Sequence, residues 1–250
     1  MFDAAYCDRV APELAWQTSL FDGGEVGFAR TFAGLRRIRL DEQSWVDHVP
    51  GWLAGSDHLF ADLLAAGDWQ QRERWMYDRR VAEPRLTAGF EVAGRPARTS
   101  RDRLASALAN VSGVEVDDLT PGGDEGTPTD HLKLPAVLGD ICAALSDRYG
   151  VTFDRIWVNL YRDGADSVAW HGDRNAHVTR NPLVATISLG APRKFQLRRK
   201  GETSIAHELR PGPGDLIVMG GACQHDWEHC VPKTARPTMP RMSVTIRHSR

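Results

Sequence analysis

The rhythm of apolar and polar positions changes at Gly150. Before it, Leu134, Val137, Leu138, Ile141, Leu145 and Tyr149 recur every three or four residues, the period that lines one face of a helix. Pro135 near the start and Gly150 just past the end mark its limits. After Gly150 the chain breaks into short strand-like runs at 154–161, 168–171, 184–189, 194–199, 204–209, 215–219, 226–230 and 241–247, divided by turn residues. Short strands at this spacing predict a sandwich or barrel, and best of all a double-sheet jelly roll.

Upstream the pattern is weaker. Leu59, Phe60, Leu63 and Leu64 carry a second helical period, with Ser56 as its expected N-cap and Gly67 as its stop. The aromatics Trp16, Phe21, Phe28, Phe32, Trp45 and Trp52 are scattered between turn residues such as Asp22, Gly23 and Gly24, and 28–40 has room for one or two short strands. Residues 69–90 are basic with interleaved aromatics. Residues 91–130 are poor in aromatics, and 121–128 is a loop by composition. No internal repeat or heptad competes with this reading.

Length and composition narrow the class. At 250 residues the chain can bury a sizeable core as one domain, or as one domain with a large extension. Its 42% hydrophobic and 26% charged residues are those of an ordinary globular protein. The start, MFDAAYCDRV, lacks the basic and apolar segments of a signal peptide, and no run reaches membrane-spanning length. A cytoplasmic location is the expectation. Cys7, Cys142, Cys223 and Cys230 have no CxxC spacing, so buried free thiols are expected rather than a disulfide framework or zinc ribbon. The net charge of −2 argues against indiscriminate polyanion binding. Two basic clusters exist nonetheless: Arg72, Arg74, Arg79, Arg80 and Arg85, then Arg193, Lys194, Arg198, Arg199 and Lys200. On composition alone each is a solvated face.

Candidate chemistry concentrates in NLYRDGADSVAWHGD, residues 159–173. A histidine and an aspartate two apart on extended chain point to one side, so His171 and Asp173 suit one metal ion, with Gly172 leaving room for a close approach. His225 and His229 are the candidates for a third ligand, and two histidines plus a carboxylate form the facial triad of non-haem Fe(II) oxygenases. Downstream, Arg241, Ser243, Thr245 and Arg247 alternate along RMSVTIR and aim two guanidiniums to one side, which suits an anion site; taken alone, the run reads equally as an edge strand with two solvated arginines.

NLYRDG, WHGD, WEHCVPK and RMSVTIR together resemble, in order and spacing, the AlkB family of Fe(II)- and 2-oxoglutarate-dependent dioxygenases, with Arg241 twelve residues after His229. The resemblance is strong over about 151–250. It is fainter upstream, where VAEPRLTAGF resembles the opening of the family's nucleotide-recognition region. It implies an α+β fold: a double-stranded β-helix (jelly-roll) core at 151–250, preceded within a single domain of 1–250 by an N-terminal extension, 1–150, with supporting helices and a substrate-recognition lid. It also implies His171, Asp173 and His229 as iron ligands. Asn159 and Tyr161 would bond 2-oxoglutarate, Arg241 would grip its distal carboxylate, and Arg247 with Ser243 would lie near the keto end. The implied reaction consumes O2 and 2-oxoglutarate and releases succinate and carbon dioxide; an N-methyl group on a base leaves as formaldehyde.

For the substrate, alkylated DNA or RNA, the resemblance implies a flipped base that is stacked and read at its edge. Trp170, Phe90 and Tyr77 are the stacking candidates, Arg85 and Thr87 the backbone or edge contacts, and Arg174 and Asn175 the residues beyond the metal pair. Ordinary core packing is the plain reading of each aromatic. Asn175 stands where base-repairing members commonly have an acidic residue, and Gly89, Phe90, Glu91 and Val92 replace a more aromatic segment. Altered base preference, or a hydroxylase or demethylase acting on a non-nucleic-acid substrate, is the alternative; a jelly-roll binding module with a structural metal is a further one. A monomer without membrane partners is expected.

Overall fold

Residues Arg241–His248 read RMSVTIRH, and alternation along this strand sends Met242, Val244 and Ile246 to one face and Arg241, Ser243, Thr245 and Arg247 to the other. One face joins a hydrophobic core and the other is free to build a polar site. The same division governs the neighbouring strands of the computed structural model, which describes residues 24–76, 78–91, 135–173 and 181–248. Expectations for Cys7, Trp16, Phe21, Tyr77, Arg174, Asn175 and the 121–128 loop fall outside the described residues.

In chain order the elements are β1 (Gly27–Phe28), β2 (Arg36–Arg39), β3 (Ser44–Val49), β4 (Leu53–Ala54), α1 (Ser56–Ala66), β5 (Glu73–Met76), β6 (Arg79–Ala82) and β7 (Leu86–Glu91). Then follow α2 (Ala136–Tyr149), β8 (Phe153–Tyr161), β9 (Val168–His171), β10 (Val184–Gly190), β11 (Phe195–Arg199) and β12 (His207–Leu209). The last are β13 (Leu216–Gly221), α3 (Cys223–Asp226), β14 (Trp227–Val231) and β15 (Arg241–His248). A seven-stranded sheet runs β2-β3-β13-β10-β15-β8-β7 and a four-stranded sheet runs β12-β11-β14-β9. From β8 onward the chain passes back and forth between the two, with β11 and β12 consecutive in the smaller sheet, as in a double-sheet jelly roll.

The two helices seal the outer face of the larger sheet. Leu59, Phe60 and Leu63 of α1 and Leu138, Ile141 and Leu145 of α2 share one core with Ile156, Val158, Leu160, Met242, Val244 and Ile246. Each of these helix side chains is fully buried, worth about 1.5–3 kcal/mol apiece. A second core, with Tyr161, Phe195, Leu197, Ile217, Met219 and Trp227, fills part of the space between the sheets.

Several expectations need correction. Ser56 is the first helical residue rather than the cap; Gly55 holds the cap position at φ 65. A Cβ at Gly55 would lie 2.9 Å from the Gly24 carbonyl oxygen, so both backbone angle and space call for glycine. The run at 204–209 pairs only over His207–Leu209, and Asp226 ends the short helix α3 rather than starting a strand. Strands β3, β5, β6 and β7 were not expected from the pattern. Three strands from before residue 150, β2, β3 and β7, belong to the larger sheet, so the N-terminal half is woven into the same sheet as the C-terminal half. Cys142, Cys223 and Cys230 are buried free thiols.

Candidate active site

The inner face of the larger sheet is polar because each of its central strands turns its polar alternation the same way. Register places Ser188, Ser243, Asn159 and Thr87 in one row across β10, β15, β8 and β7, with Arg241 opposite Tyr161 and Thr245 opposite Trp157 in adjoining rows. Facing this surface, β9 and β14 of the smaller sheet pair His171 with His229. Between the sheets lies a cleft of about 430 Å³, including its open mouth, lined by Asn159, Tyr161, His171, Asp173, His229, Arg241 and their neighbours.

At one end of the cleft stand the three expected iron ligands. The His171 and His229 rings lie 4.3 Å apart between centroids, and Phe195 stacks on His229 at 5.3 Å. His171 Nδ1 lies 2.9 Å from the Ala169 carbonyl oxygen, which leaves Nε2 for a ligand. Burial, reinforced by the neighbouring His171, pushes His229 down to about 3, so its imidazole is neutral. Burial opposes charge on Asp173, but the Arg247 guanidinium and the two histidines outweigh it and hold the carboxyl below its usual range. Arg247 Nη2 donates to Asp173 Oδ1 at 2.6 Å, using one carboxylate oxygen. Two imidazoles and a carboxylate are a donor set that fits Fe(II), although among the described residues no three such side chains are drawn together as a formed metal cage.

The other end is a buried cation. Arg241 is 1% exposed, donates from Nη2 to Ser188 Oγ at 2.9 Å, and has its guanidinium carbon 5.1 Å from the Tyr161 ring centre. Its Nε and Nη1 find no hydrogen-bond partner among the described residues. Burial lowers the pKa of this guanidinium, the mark of a desolvated charge. Such a group is costly unless an anion meets it, and a carboxylate matches its fork.

The structure brings together Asn159, Tyr161, Ser243 and Arg247 along the cleft. It also brings in Arg85, whose Nε donates to Asn159 Oδ1 at 3.2 Å while Nη2 meets Glu83 at 2.6 Å. Thr87 is buried in the Asn159 row. Phe90 and Trp170 are corrected. Phe90 pairs with Ile156 and packs in the outer core. Trp170 neighbours His171 and points to the opposite face of its strand, where Arg198, paired with Glu228, lies 4.3 Å from the ring centre. His225 sits on α3 and does not line the cleft.

Two contributors, Gln224 and Trp157, escaped sequence reasoning, and Gly172, expected to leave room for a metal, closely approaches protein backbone. Gln224 Oε1 accepts from the Asp173 backbone N–H at 2.9 Å. Gly172 is required by that same contact zone, since a Cβ there would lie 2.7 Å from the Gln224 carbonyl oxygen. Trp157 packs over Gly89, with Arg72 4.2 Å from its ring centre, one strand away from the cleft-lining Thr245. The β-strand alternation that exposed Asn159 and Tyr161 also marks Trp157, two residues earlier on the same face.

The second basic cluster is a solvated face in part, with Lys194, Arg199 and Lys200 exposed. Lys194 pairs with Glu208, Arg198 with Glu228 and Arg199 with Asp41, while Arg193 is 5% exposed.

Comparison with known proteins agrees with this geometry. Residues 49–250 match the 2OG-Fe(II) oxygenase superfamily. The chain is 35% identical over 200 residues to the human alpha-ketoglutarate-dependent dioxygenase alkB homolog 3, covering 77% of this chain and 61% of that protein. It is 30% identical over 208 residues to the Bos taurus homolog 3, covering 79% and 64%. To the Arabidopsis thaliana DNA oxidative demethylase ALKBH2 it is 32% identical over 180 residues, covering 63% and 56%. The chain thus spans about three-fifths of the length of these relatives. It belongs to the 2OG-Fe(II) oxygenase superfamily and, within it, to the AlkB family of dioxygenases.

Proposed function

We propose that this chain oxidatively demethylates N-alkylated bases in DNA or RNA, using Fe(II), 2-oxoglutarate and O2 and releasing formaldehyde, succinate and CO2. The observation that carries the reading is the buried Arg241 guanidinium, two of whose donor groups are unpartnered among the described residues, in the cleft whose other end bears His171, Asp173 and His229. These three would hold the iron, which when bound with O2 supplies the oxidising power. Arg241 fixes the distal carboxylate of 2-oxoglutarate, and Asn159 and Tyr161 orient its body. Arg247 holds Asp173 in its ionised form. On the substrate side, Arg85 at Asn159 and Trp157 with Arg72 form the wall next to the cleft. The similar proteins named as alkB homolog 3 and as a DNA oxidative demethylase support nucleic acid as the substrate.

The test is turnover of N-methylated single- and double-stranded DNA and RNA oligonucleotides by the Fe(II)-loaded chain, scoring formaldehyde and base mass together. Product is expected with at least one of them and is lost in His171→Ala. One observation favours a non-nucleic-acid substrate: of the expected stacking aromatics, the two described, Phe90 and Trp170, face away from the cleft. Steady 2-oxoglutarate consumption with no response to any oligonucleotide would select that second reading.

A further inference from the structure

The two loops that flank the Arg241 end of the cleft are tied together by one buried guanidinium. Arg193 donates from Nη1 to the Asp163 carbonyl at 2.8 Å, and from Nη2 to the Asp166 carbonyl at 2.9 Å and the Pro232 carbonyl at 2.8 Å. The first loop, 162–167, joins β8 to β9; the second, beginning at residue 232, joins β14 to β15. Each strand entering or leaving them carries part of the site: Asn159 and Tyr161 on β8, His171 on β9, His229 on β14 and Arg241 on β15. Other contacts reinforce the junction. Thr234 N donates to the Gly164 carbonyl at 2.9 Å, and Arg162 braces its own loop through Asp166 at 2.8 and 2.9 Å. Arg193 is also electrostatically coupled to the co-substrate end. The Tyr161 ring centre lies 6.0 Å from its guanidinium carbon and 5.1 Å from that of Arg241, so two buried cations flank one phenol ring.

We infer that Arg193 is a positioning residue for 2-oxoglutarate: it locks the two loops so that Tyr161 and Arg241 face the distal carboxylate at fixed spacing, and its charge makes that end more attractive to an anion. It contacts backbone and a ring, so it acts through other groups and takes no part in the chemical step. A planar fork suits three carbonyls from two loops better than the compact ammonium of lysine. The consequence is selective. Losing Arg193 weakens the carboxylate end and leaves the metal end intact.

The inference rests on the reading of Arg241 as the distal-carboxylate site, and one experiment separates the two. Binding of 2-oxoglutarate, and of pyruvate, which has the keto-acid end but no distal carboxylate, is measured by calorimetry on the full chain loaded with Mn(II), alongside Mn(II) affinity itself. Wild type should prefer 2-oxoglutarate; equal affinity for both acids sinks the underlying reading. In Arg193→Met, 2-oxoglutarate affinity should fall about tenfold or more, as expected for a lost charge and a loosened anion clamp. Pyruvate and Mn(II) affinities should stay within about twofold, a shift below the energy of one ordinary hydrogen bond. Arg193→Lys, keeping the charge, should recover part of the preference. Unchanged 2-oxoglutarate affinity in folded Arg193→Met, or equal loss of affinity for all three ligands, overturns the inference. Should Arg193→Met fail to fold, Gly164→Ala is decisive in its place. Its Cβ would press on the Thr234 carbonyl oxygen and pry the loops apart with both charges kept. It should also lower 2-oxoglutarate affinity selectively, and no change there would count against the clamp.

Discussion

At the scale of single residues, the site combines two ways of holding an anion. Asp173 is ionised because Arg247 donates to it, and among the described residues Arg241 has two donors left without a partner. Arg241→Met should therefore cost about 1.5–3 kcal/mol of 2-oxoglutarate binding, the worth of a hydrogen bond to a charged group, read as a rise in dissociation constant by calorimetry with Mn(II). Gln224→Leu should weaken Mn(II) binding about tenfold, the lower range for loss of a group that orients a metal ligand. Titration of the apo chain with Mn(II) checks it, and unchanged affinity would remove Gln224 from the site. Strand alternation pointed to His171 with Asp173 and to Arg241 with Ser243, Thr245 and Arg247, whereas the family resemblance singled out Asn159, Tyr161 and His229. The same rule explains the misses. Phe90 and Trp170 stand one position from residues on the inner face, and a single step along a strand reverses the side. Gln224 and Arg193 act on backbone groups brought near by folding, which no local pattern records.

At the scale of elements, β3 and β13 are joined at their ends by Asp215, which accepts from His48 Nε2 at 2.9 Å and from the backbone N–H groups of Gly51 and Gly212 at 2.8 and 3.0 Å. Burial opposes its charge, yet these donors hold its carboxyl below the usual aspartate range. A depressed folded-state pKa gives stability that is present above the unfolded value and lost as pH falls through the folded one. Asp215→Asn should cost about 1.5–3 kcal/mol at neutral pH, since it weakens bonds to a charged acceptor. The gap between variant and wild type in urea unfolding should narrow below about pH 4 as wild type loses the charge too. Helices α1 and α2 and the strands after Gly150 were legible because one face of each is apolar throughout. Strand β3 was not: its polar Asp47 is fully buried, where Arg37 pairs with it at 2.7 Å and the Tyr149 hydroxyl donates to it at 3.0 Å, so partners distant in sequence hide the alternation. In β7 and β8, Gly89 is covered by Trp157, a pairing visible only once the register is known.

At the scale of the whole molecule, several cations of the described residues are paired with carboxylates at the surface. Lys194, Arg198 and Arg199 face carboxylates and Arg193 is buried, while on the exposed β5–β6 hairpin Arg80 lies 3.8 Å from Glu73. Binding to an oligonucleotide should accordingly release few counterions, with a log–log salt slope shallower than about −4. Fluorescence anisotropy across a salt series measures it, and a steep slope would mean that the paired cations are recruited to phosphates. No helix of the described residues is long and apolar enough to cross a membrane. Strand β15 lies between β10 and β8 in the middle of the larger sheet, although it follows every other strand of that sheet in the chain. Until it inserts, β8 and β10 present two open apolar edges, the geometry from which intermolecular pairing begins. Folding that waits for such a distant partner is slow. A nascent chain of this design is most exposed to aggregation just before Arg241 is locked in place, so slower synthesis at low temperature should raise the soluble yield.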